Sequence, residues 1–295
     1  MMKPTIYALG FFDGVHLGHQ ALLRECRRLA DLHGCQAGAV TFTAHPDGLV
    51  FGKTPALLNT NEDRKLLLHT YGMDSVVELP FDRTLMTTHW SSFLTQLTDC
   101  GAAGFVCGSD FRFGAGGSGT GKKLVSYCES RSLPYAIVPE QTLDTVRISS
   151  THIRGLLEQG SMGEAVRFLG HGHILTGQVV PGKQLGRAIG IPTANLLLPE
   201  GILCPRYGVY ASKCFVDGAE YMAVTNIGTR PTVNGSHVTV ESNLLDFTGD
   251  LYGKSLTVIF YEFLRPEQKF PSLDELQKEI QKNTLQTRKF FKKSK

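Results

Sequence analysis

The feature that most constrains this chain is a change of hydrophobic periodicity between its two halves. In the first half, short apolar runs such as Thr5–Leu9 alternate with amphipathic stretches such as His19–Leu32. Strands that alternate with helices predict a parallel sheet with helices on its faces. In the second half, β-rich runs punctuated by glycine and proline predict a small barrel or sandwich. We therefore expect an α/β domain over residues 1–170 and a β-rich domain over residues 171–295.

Turn and cap residues support this division. Two short helical patterns, Ser150–Glu158 and Met162–Leu169, are followed by Gly160 and Gly170, where glycine favours a helix C-cap. Within the second half, Asp217-Gly218 is a two-residue hairpin signal between β-rich runs. An amphipathic stretch near the end of the chain, Ser272–Phe291, predicts a terminal helix that packs on the barrel.

Composition and charge indicate an ordinary globular protein. The 295 residues carry 42% hydrophobic and 19% charged side chains with a formal net charge of +3, which is weak support for nucleic-acid binding. The cluster Arg288–Lys293 is more typical of a solvated helix end. Seven cysteines without a Cys-x-x-Cys pair indicate a reduced chain without a zinc site. With neither a signal-peptide pattern nor a membrane-spanning apolar run, we expect a cytoplasmic protein, monomeric or weakly self-associating.

The most informative stretch is Gly10-Phe-Phe-Asp-Gly-Val-His-Leu-Gly-His19, between the first strand and the first helix. Ligands of parallel sheets bind at the carboxyl ends of strands, which is where this segment falls. Helix-opening amides favour phosphate, and the imidazoles of His16 and His19 add donors to phosphate oxygens. The alternative is a pair of surface histidines in a glycine-rich turn.

Three further segments have the same alternatives of ligand contact or plain turn. Thr41–Pro46 follows the second strand, and Gly108–Gly114 follows a later one, where Asp110 is suited to accept from a ribose hydroxyl. Ile148–Arg154 begins a helix with hydroxyls at its cap, and Arg154 lies one turn beyond Ser150. Hydroxyls and an arginine suit a triphosphate, although an N-cap alone also explains them.

One glycine-rich stretch imitates a phosphate-binding P-loop and is rejected. In residues 116–123, Lys123 stands where a P-loop has the magnesium-binding Ser or Thr, and no strand leads directly into the glycines. We interpret it as a flexible loop near the nucleotide site.

In the second half, Gly190-Ile-Pro-Thr-Ala-Asn195 places Thr193 and Asn195 on the same side of an extended chain. Their oxygens suit Mg²⁺ that carries ATP phosphates, although the motif alone is usually just a turn. Upstream, residues 177–187 form a Gly/basic segment able to fold over phosphates. Downstream, Glu241 shares a strand face with Thr239 and Asn243, and the simpler explanation is a solvated charge.

Taken together, these motifs resemble those of the prokaryotic bifunctional riboflavin kinase/FAD synthetases. The Gly-x-Phe-Asp-Gly-Val-His-x-Gly-His and Ser-Ser-Thr-x-Ile-Arg elements resemble the FAD synthetase part, a member of the His-x-Gly-His nucleotidylyltransferases. Gly-x-Pro-Thr-Ala-Asn, Asn226–Thr232, the Glu241 strand and Leu264-Arg265 resemble the riboflavin kinase part. The resemblance implies a Rossmann-like α/β domain over 1–170 and a kinase β-barrel with a terminal helix over 171–295. Phe11, Asn243 and Asn283 depart from the residues common in the family.

The resemblance also implies roles for individual residues. Catalytic roles fall to Glu241, His16, His19 and Arg154. ATP binding is expected at Gly10, Phe12, Asp13, Gly18, Asp110, Ser149, Ser150, Thr151, Gly182, Lys183, Gly186, Thr193 and Asn195. Flavin binding is expected at Phe42, His45, Asn226, Arg230 and Arg265, and Mg²⁺ binding at Thr193 and Asn195.

The expected reactions differ in their attacking groups. The ribityl hydroxyl of riboflavin is neutral, so a base is useful and Glu241 is the candidate, whereas the FMN phosphate is already an anion. Transfer of phosphate from ATP would give FMN, and transfer of AMP from a second ATP would give FAD and pyrophosphate. Two alternatives stay open: the Phe11 or Asn243 departure has silenced one half, or the chain is a flavin- or nucleotide-sensing module without turnover.

Overall fold

The computed structural model describes residues 3–181, 191–232 and 235–293, with the side chains of residues 230–236 left out. The chain divides into two compact units: Met1–Ala56 with Arg64–Ser150, and Leu57–Asp63 with Thr151–Lys295. Residues 151–170 thus pack with the second unit. The expected boundary of function near Gly170 stays a prediction.

The first unit is built on a five-stranded parallel sheet, as its alternating pattern predicts. The strands are β1 (Thr5–Leu9), β2 (Gln36–Phe42), β3 (Ser75–Leu79), β4 (Ala102–Gly108) and β5 (Tyr135–Val138), in the order β3-β2-β1-β4-β5. The chain leaves β1 toward β2 and later returns to pair β4 on the other side of β1. The strand order reverses between β1 and β4, and in sheets of this kind ligands bind in the crevice at the carboxyl ends of the two strands.

Helices connect these strands. They are α1 (Leu17–Leu32), α2 (Pro46–Phe51), α3 (Asn61–Thr70), α4 (Arg83–Thr87), α5 (Trp90–Asp99) and α6 (Gly121–Glu129). Helix α7 (Ser150–Gln159) follows the last strand of this sheet, and its residues from Thr151 onward belong to the second unit. A two-stranded hairpin, β6 (Thr142–Leu143) with β7 (Val146–Arg147), precedes α7. The first helix buries Leu23, Cys26 and Leu29, a spacing of three that places one stripe on the sheet.

The second unit is a six-stranded antiparallel sheet that closes almost completely into a barrel. Its strands are β8 (His173–Gln178), β9 (Ala194–Leu197), β10 (Gly208–Val216), β11 (Ala219–Thr232), β12 (Gly235–Leu244) and β13 (Ser255–Arg265), in the order β8-β13-β10-β11-β12-β9. A bridge between Val180, just after β8, and Asn195 of β9 links the two edges. The Asp217-Gly218 hairpin joins β10 to β11 with positive φ at both turn residues, as its sequence predicts.

The barrel sheet carries buried hydroxyl groups on one face and packs against the terminal helix on the other. Buried hydroxyls of Ser212, Thr225 and Ser242 form a chain across β10, β11 and β12, with oxygen–oxygen distances of 2.7 and 2.8 Å. The opposite face of β10 and β11 packs against the terminal helix α9 (Leu273–Lys293), and α8 (Met162–Leu169) packs on β13 and β8. The barrel and its terminal helix are confirmed, and the helix starts and ends within two residues of the predicted bounds.

Candidate active sites

A tight turn follows β1 and carries the first candidate site. Phe12 is completely buried with φ of 59°, and its ring lies against Gly10, where a Cβ would come within 3.0 Å of the ring. Asp13–Val15 form a single 3-10 turn that leads into α1. Glycine at position 10 is required because the Phe12 ring occupies the space of a side chain. The turn therefore places His16 at the N-cap of α1.

His16 and His19 are brought together at the start of α1. Nδ1 of His16 accepts a hydrogen bond from the His19 backbone N–H at 3.3 Å, and the two rings stack with centroids 3.7 Å apart. Because Nδ1 accepts, a neutral His16 carries its proton on Nε2, which is then a donor. Gly18 between them leaves the backbone open, since a Cβ there would lie 3.2 Å from the His16 ring.

The environment of His19 keeps its imidazole neutral. Burial lowers the pKa of His19 well below its usual range, and the nearby His16 and Arg64 lower it further. The buried Nδ1 of His19 has no hydrogen-bond partner within the described structure. A neutral imidazole with an unpaired buried nitrogen is suited to a polar ligand at this turn.

Phe11, a departure from the family pattern, has a defined place in the structure. Its ring lies 4.6 Å from the His45 ring, edge to face, and 4.4 Å from the Arg64 guanidinium carbon. Arg64 is completely buried and donates to the Phe42 carbonyl at 2.6 Å. These aromatic and cation–π contacts join the turn after β1 to the loop after β2. His45 thus contacts Phe11 in the turn after β1, and the Phe42 carbonyl is linked to the same ring through Arg64. Their flavin-binding roles stay predictions.

The start of α7 also reaches this turn. The Ser150 hydroxyl donates to the Asp13 carbonyl at 2.8 Å, and Asp13 is buried. Ser149 precedes it, whereas Thr151 and Arg154 belong to the second compact unit, Arg154 one turn along α7. The roles expected for Ser149, Thr151 and Arg154 stay predictions.

Asp110 follows β4, at the carboxyl end of the parallel sheet, and its expected contact with the ribose stays a prediction. Its Oδ2 accepts from Arg147 at 2.7 Å, and the same Arg147 nitrogen lies 2.8 Å from Glu140. The glycine-rich stretch further on forms a 3-10 turn (Ala115–Gly117) and then α6, capped by Thr120. A strand does not lead into it, which supports the rejection of a P-loop.

In the second unit, strand register places three candidate side chains in one row. Glu241 of β12 lies directly opposite Asn195 of β9 on one side and Asn226 of β11 on the other. Directly opposite residues of an antiparallel pair project to the same face within about 5 Å. Asn195 is buried, and its amide nitrogen donates to the Thr193 carbonyl at 3.3 Å. The expected base and the expected metal ligands are therefore neighbours.

Two cavities flank this row and share Thr193. One of about 320 Å³ is lined by Val179, Pro192, Thr193, Asn195 and the loop 247–252. The other, of about 390 Å³, is lined by Thr193, Asn226, Glu241, Arg265 and residues of α9. Both fall in the size range of small-molecule sites. Two substrates in these cavities would meet at Thr193.

The two remaining departures of the second half have structural partners. Asn243 donates to the Pro192 carbonyl at 2.8 Å and so fixes the segment before Thr193. Asn283 is buried and accepts from Nε of Arg265 at 3.1 Å, while Glu279 lies 3.4 Å from the same nitrogen. Burial lowers the pKa of Arg265, and the two glutamates nearby, Glu279 and Glu267, oppose that shift. Arg265 is thus held in the wall of the larger cavity by α9.

Some expected residues lie outside the described part of the chain. These are Gly182, Lys183 and Gly186, together with the side chain of Arg230, whose backbone pairs with His237 in the barrel. Among the described residues, no three His, Cys, Asp or Glu side chains are grouped to hold a metal ion. No helix within the described ranges is long and apolar enough to cross a membrane. All seven cysteines are unpaired.

Several site residues were missed from the sequence. Arg64 falls in an amphipathic stretch where a charge is usually solvated, and Arg147 falls in a short hairpin. Asn243 was noted only as a departure, and Glu267 and Phe270, which line the larger cavity, follow a strand without any motif. The signal in the sequence for Arg64 is its place on an otherwise apolar helix stripe, three and four residues before Leu67 and Leu68.

Comparison with known proteins assigns each half. A family model described as FAD synthetase matches residues 1–152, and one described as riboflavin kinase matches residues 169–291. With the parallel sheet and the barrel, these matches define a two-part flavin-nucleotide enzyme.

Relatives span the whole chain. The bifunctional riboflavin kinase/FMN adenylyltransferases of Listeria monocytogenes and Escherichia coli K12 are 34% and 36% identical, each alignment covering 98% of this chain and 93% of the relative. A crystal structure from Streptococcus pneumoniae, described as a macrolide-efflux protein, superposes with a TM-score of 0.86 at 29% identity, covering 98% of this chain and 95% of that one. The chain belongs to the bifunctional riboflavin kinase/FMN adenylyltransferase family.

Proposed function

We propose that this chain phosphorylates riboflavin with ATP to give FMN and then transfers AMP from ATP to FMN, giving FAD and pyrophosphate. We assign the adenylyl transfer to residues 1–170 and the kinase to residues 171–295. The observation that carries the kinase assignment is the register that sets Glu241 opposite Asn195, between two cavities that meet at Thr193. The efflux description of the Streptococcus pneumoniae structure is not carried over, because both halves match flavin-enzyme families.

In the kinase step, riboflavin occupies the larger cavity and ATP the smaller one. The ribityl hydroxyl oxygen attacks the γ-phosphorus, the bond from that phosphorus to the β,γ-bridging oxygen breaks, and ADP leaves. The hydroxyl proton passes to the Glu241 carboxylate, which lines the larger cavity. Asn226 and Arg265 bind the flavin from the same wall, and the two substrates are aligned by the shared segment at Thr193.

Mg²⁺ fits the chemistry of the donors at this site. The Thr193 hydroxyl and the Asn195 amide supply hard oxygens, and the proposed base Glu241 lies opposite Asn195 across the strand pair. When bound, the ion neutralises charge on the transferring phosphoryl group. We expect the remaining ligands to come from ATP phosphates and water, as is usual for Mg²⁺ bound with a nucleotide.

In the adenylyl transfer step, an FMN phosphate oxygen attacks the α-phosphorus of ATP, and pyrophosphate leaves. This nucleophile is already an anion, so alignment and charge neutralisation suffice. Nε2 of His16, the imidazole of His19, the opening amides of α1 and the hydroxyls of Ser149 and Ser150 are the donors. The family resemblance also gives phosphate-binding roles to Thr151 and Arg154 of α7. Phe42 and His45 bind the flavin, and Asp110 accepts from the ATP ribose.

The family departures do not leave gaps that would silence either half. Phe11 is packed between Arg64 and His45, and Asn243 and Asn283 are both hydrogen-bonded. Together with the full-length similarity to bifunctional riboflavin kinase/FMN adenylyltransferases, this supports turnover at both sites over a sensing module. The monomeric or weakly associating state, the absence of nucleic-acid binding and the cytoplasmic location stay predictions.

Product analysis tests this proposal. We expect purified protein with riboflavin, excess ATP and Mg²⁺ to form FMN first and FAD later, as followed by chromatography. FMN that accumulates without FAD would show that the first half is silent. Binding of ATP and flavin without any product would favour the sensing module and contradict the proposal.

A further inference from the structure

One arginine of the first unit is completely buried at the edge of the sheet where its ligands are expected. Arg64 of α3 donates a hydrogen bond at 2.6 Å to the carbonyl of Phe42, the last residue of β2. The same guanidinium nitrogen lies 3.9 Å from a carboxylate oxygen of Glu78, near the end of β3. Since β2 and β3 are adjacent parallel strands, Arg64 joins the carboxyl ends of both.

A buried guanidinium at this place calls for an explanation beyond packing. Arginine is rarely buried completely, because the desolvation of its charge is costly. Glu78 compensates that charge only in part, since its other carboxylate oxygen lies 2.9 Å from Nζ of Lys65. An apolar side chain would fill the same space without this cost. The simpler explanation is an ion pair that only anchors α3 to the sheet.

The ring of Phe11 connects Arg64 to the turn that carries the two histidines. It lies 4.4 Å from the guanidinium carbon of Arg64 and 4.6 Å from the ring of His45, in the loop after β2. The Phe11 carbonyl accepts a hydrogen bond from the Thr41 hydroxyl of β2 at 2.9 Å. Both the backbone and the ring of Phe11 are therefore attached to the neighbouring strand and its loop.

The charge of Arg64 also acts on the phosphate-binding side of this turn. After burial and His16, Arg64 is the third cause that lowers the pKa of His19, so the guanidinium lies close to that imidazole. An arginine keeps its charge where a histidine does not. The turn thus combines a neutral imidazole with a fixed positive charge, which favours the phosphate groups of both proposed substrates.

We propose that Arg64 is a positioning residue of the adenylyl transfer site, which through Phe11 keeps the turn after β1 and the loop after β2 in a fixed relation, so that FMN binds with its phosphate aligned. This inference deepens the proposed function and rests on adenylyl transfer in the first unit. FMN has to reach both segments, with its phosphate at the turn and its flavin ring at the loop. Arg64 need not touch either substrate.

The kinetics of FAD formation from FMN test this role, with ATP and FMN varied separately. We expect Arg64→Lys to raise the KM for FMN roughly tenfold, because an ammonium keeps the charge but loses the planar contact with the Phe11 ring. The KM for ATP should be unchanged. An arginine that only anchors α3 would, on replacement, lower the folded fraction and hence kcat, without changing the KM for FMN. That outcome would contradict the proposal.

Phe11→Leu tests the same contact from its other side. Phe11 is only partly buried, so this variant decides the question if Arg64→Lys does not fold. Loss of the ring should raise the KM for FMN about fivefold, and an unchanged KM would overturn the proposal. The double variant should be no worse than Arg64→Lys, because both changes remove one contact. Effects that multiply would show that the two residues act separately, against the proposal.

Arg27→Lys is the matched control. Arg27 pairs with Asp74 at 2.7 Å, just before β3 and so at the opposite end of that strand. Its replacement should leave the KM for FMN unchanged, and an equal rise there would contradict a specific role of Arg64. A wild type that makes no FAD overturns the proposed function together with this inference. FAD formation with an unchanged KM for FMN in Arg64→Lys and Phe11→Leu overturns the inference alone.

Discussion

The two candidate sites of this chain are built from opposite kinds of polar group. The turn after β1 in the first unit presents donors, namely helix-opening amides and the stacked imidazoles of His16 and His19. The row on the barrel presents acceptors, with Glu241 between Asn195 and Asn226. Donors bind phosphate directly, whereas acceptors bind a metal ion or take a proton.

This difference matches the nucleophile of each proposed reaction. A neutral hydroxyl has to lose a proton as it attacks, so the kinase site needs an acceptor close to it. A phosphate anion has no proton to lose, and its site needs positive charge and donors instead. Because both reactions use ATP, the balance of hydrogen-bond donors and acceptors at each site is what distinguishes the two nucleophiles.

The largest expected effect comes from removing the acceptor. Glu241→Gln should lower the rate of riboflavin phosphorylation by about 10²–10⁴-fold, because the ribityl hydroxyl then has no base. Conversion of added FMN to FAD should be unchanged. The measurement is the initial rate of each step by chromatography. Glu262→Gln, which replaces another partly buried glutamate of the barrel, is the control, and an equal loss there would show that the effect is structural.

Removing a donor from the first site should be nearly as damaging to the other step. His19→Ala should slow FAD formation from FMN by about 10²–10³-fold, with riboflavin phosphorylation intact. Exposed His33→Ala at the end of α1 is the control. Because the pKa of His19 is held well below its usual range, the imidazole stays neutral as pH falls from 7.5 to 6. A loss of FAD formation in that interval that disappears in His19→Ala would contradict this assignment.

A smaller effect is expected at the metal ligands of the barrel. Asn195→Ala should raise the Mg²⁺ and ATP concentrations for half-maximal phosphorylation roughly tenfold. The variant loses one oxygen ligand and the hydrogen bond from the Asn195 amide nitrogen to the Thr193 carbonyl. Titration of Mg²⁺ in the kinase assay measures this shift. Thr176→Ala, which removes a hydroxyl bonded to Thr257 elsewhere in the barrel, should leave the Mg²⁺ dependence unchanged.

The smallest expected effect is on the free energy of unfolding. It concerns His173, a buried histidine that has no assigned role in either site. Burial, with a smaller contribution from His171, lowers the pKa of His173 to about 3. The unfolded chain therefore binds a proton below pH 6.5 that the folded chain does not, so stability falls as pH falls. From pH 7 to pH 5 the free energy of unfolding should drop by about 2 kcal/mol on this account.

Denaturant unfolding at several pH values measures that slope. In His173→Gln the part of the slope due to this residue should disappear, whatever the absolute stability of the variant. The exposed His237→Gln should retain the wild-type slope. An unchanged slope in His173→Gln would show that the residue titrates normally.

Much of the fold follows from local patterns in the sequence. The alternation of Thr5–Leu9 and His19–Leu32 predicts the parallel sheet, and Asp217-Gly218 predicts the hairpin between β10 and β11 of the barrel. Both features depend on residues that are neighbours along the chain. The short strand β9 was not recognised, since four residues after Pro192 have too little periodicity. Helices α2 and α4, with six and five residues, were missed for the same reason.

Individual residues of both candidate sites could be predicted from the sequence, but most of their contacts in space could not. His16 and His19 are three apart in the sequence, so their proximity on a helix follows from spacing. The pairing of Glu241 with Asn195 joins strands 46 positions apart and is decided by strand register, which local spacing does not determine. Arg64 was missed because burial of an arginine depends on tertiary packing.

One measurement tests most directly that two separate sites act in one chain. Glu241→Gln and His19→Ala proteins are incubated with riboflavin, ATP and Mg²⁺, singly and mixed, and the flavins are separated by chromatography. We expect neither variant alone to form FAD from riboflavin, His19→Ala to stop at FMN, and the mixture to form FAD. FAD formed from riboflavin by Glu241→Gln alone, or a mixture that forms none, would contradict the two-site account.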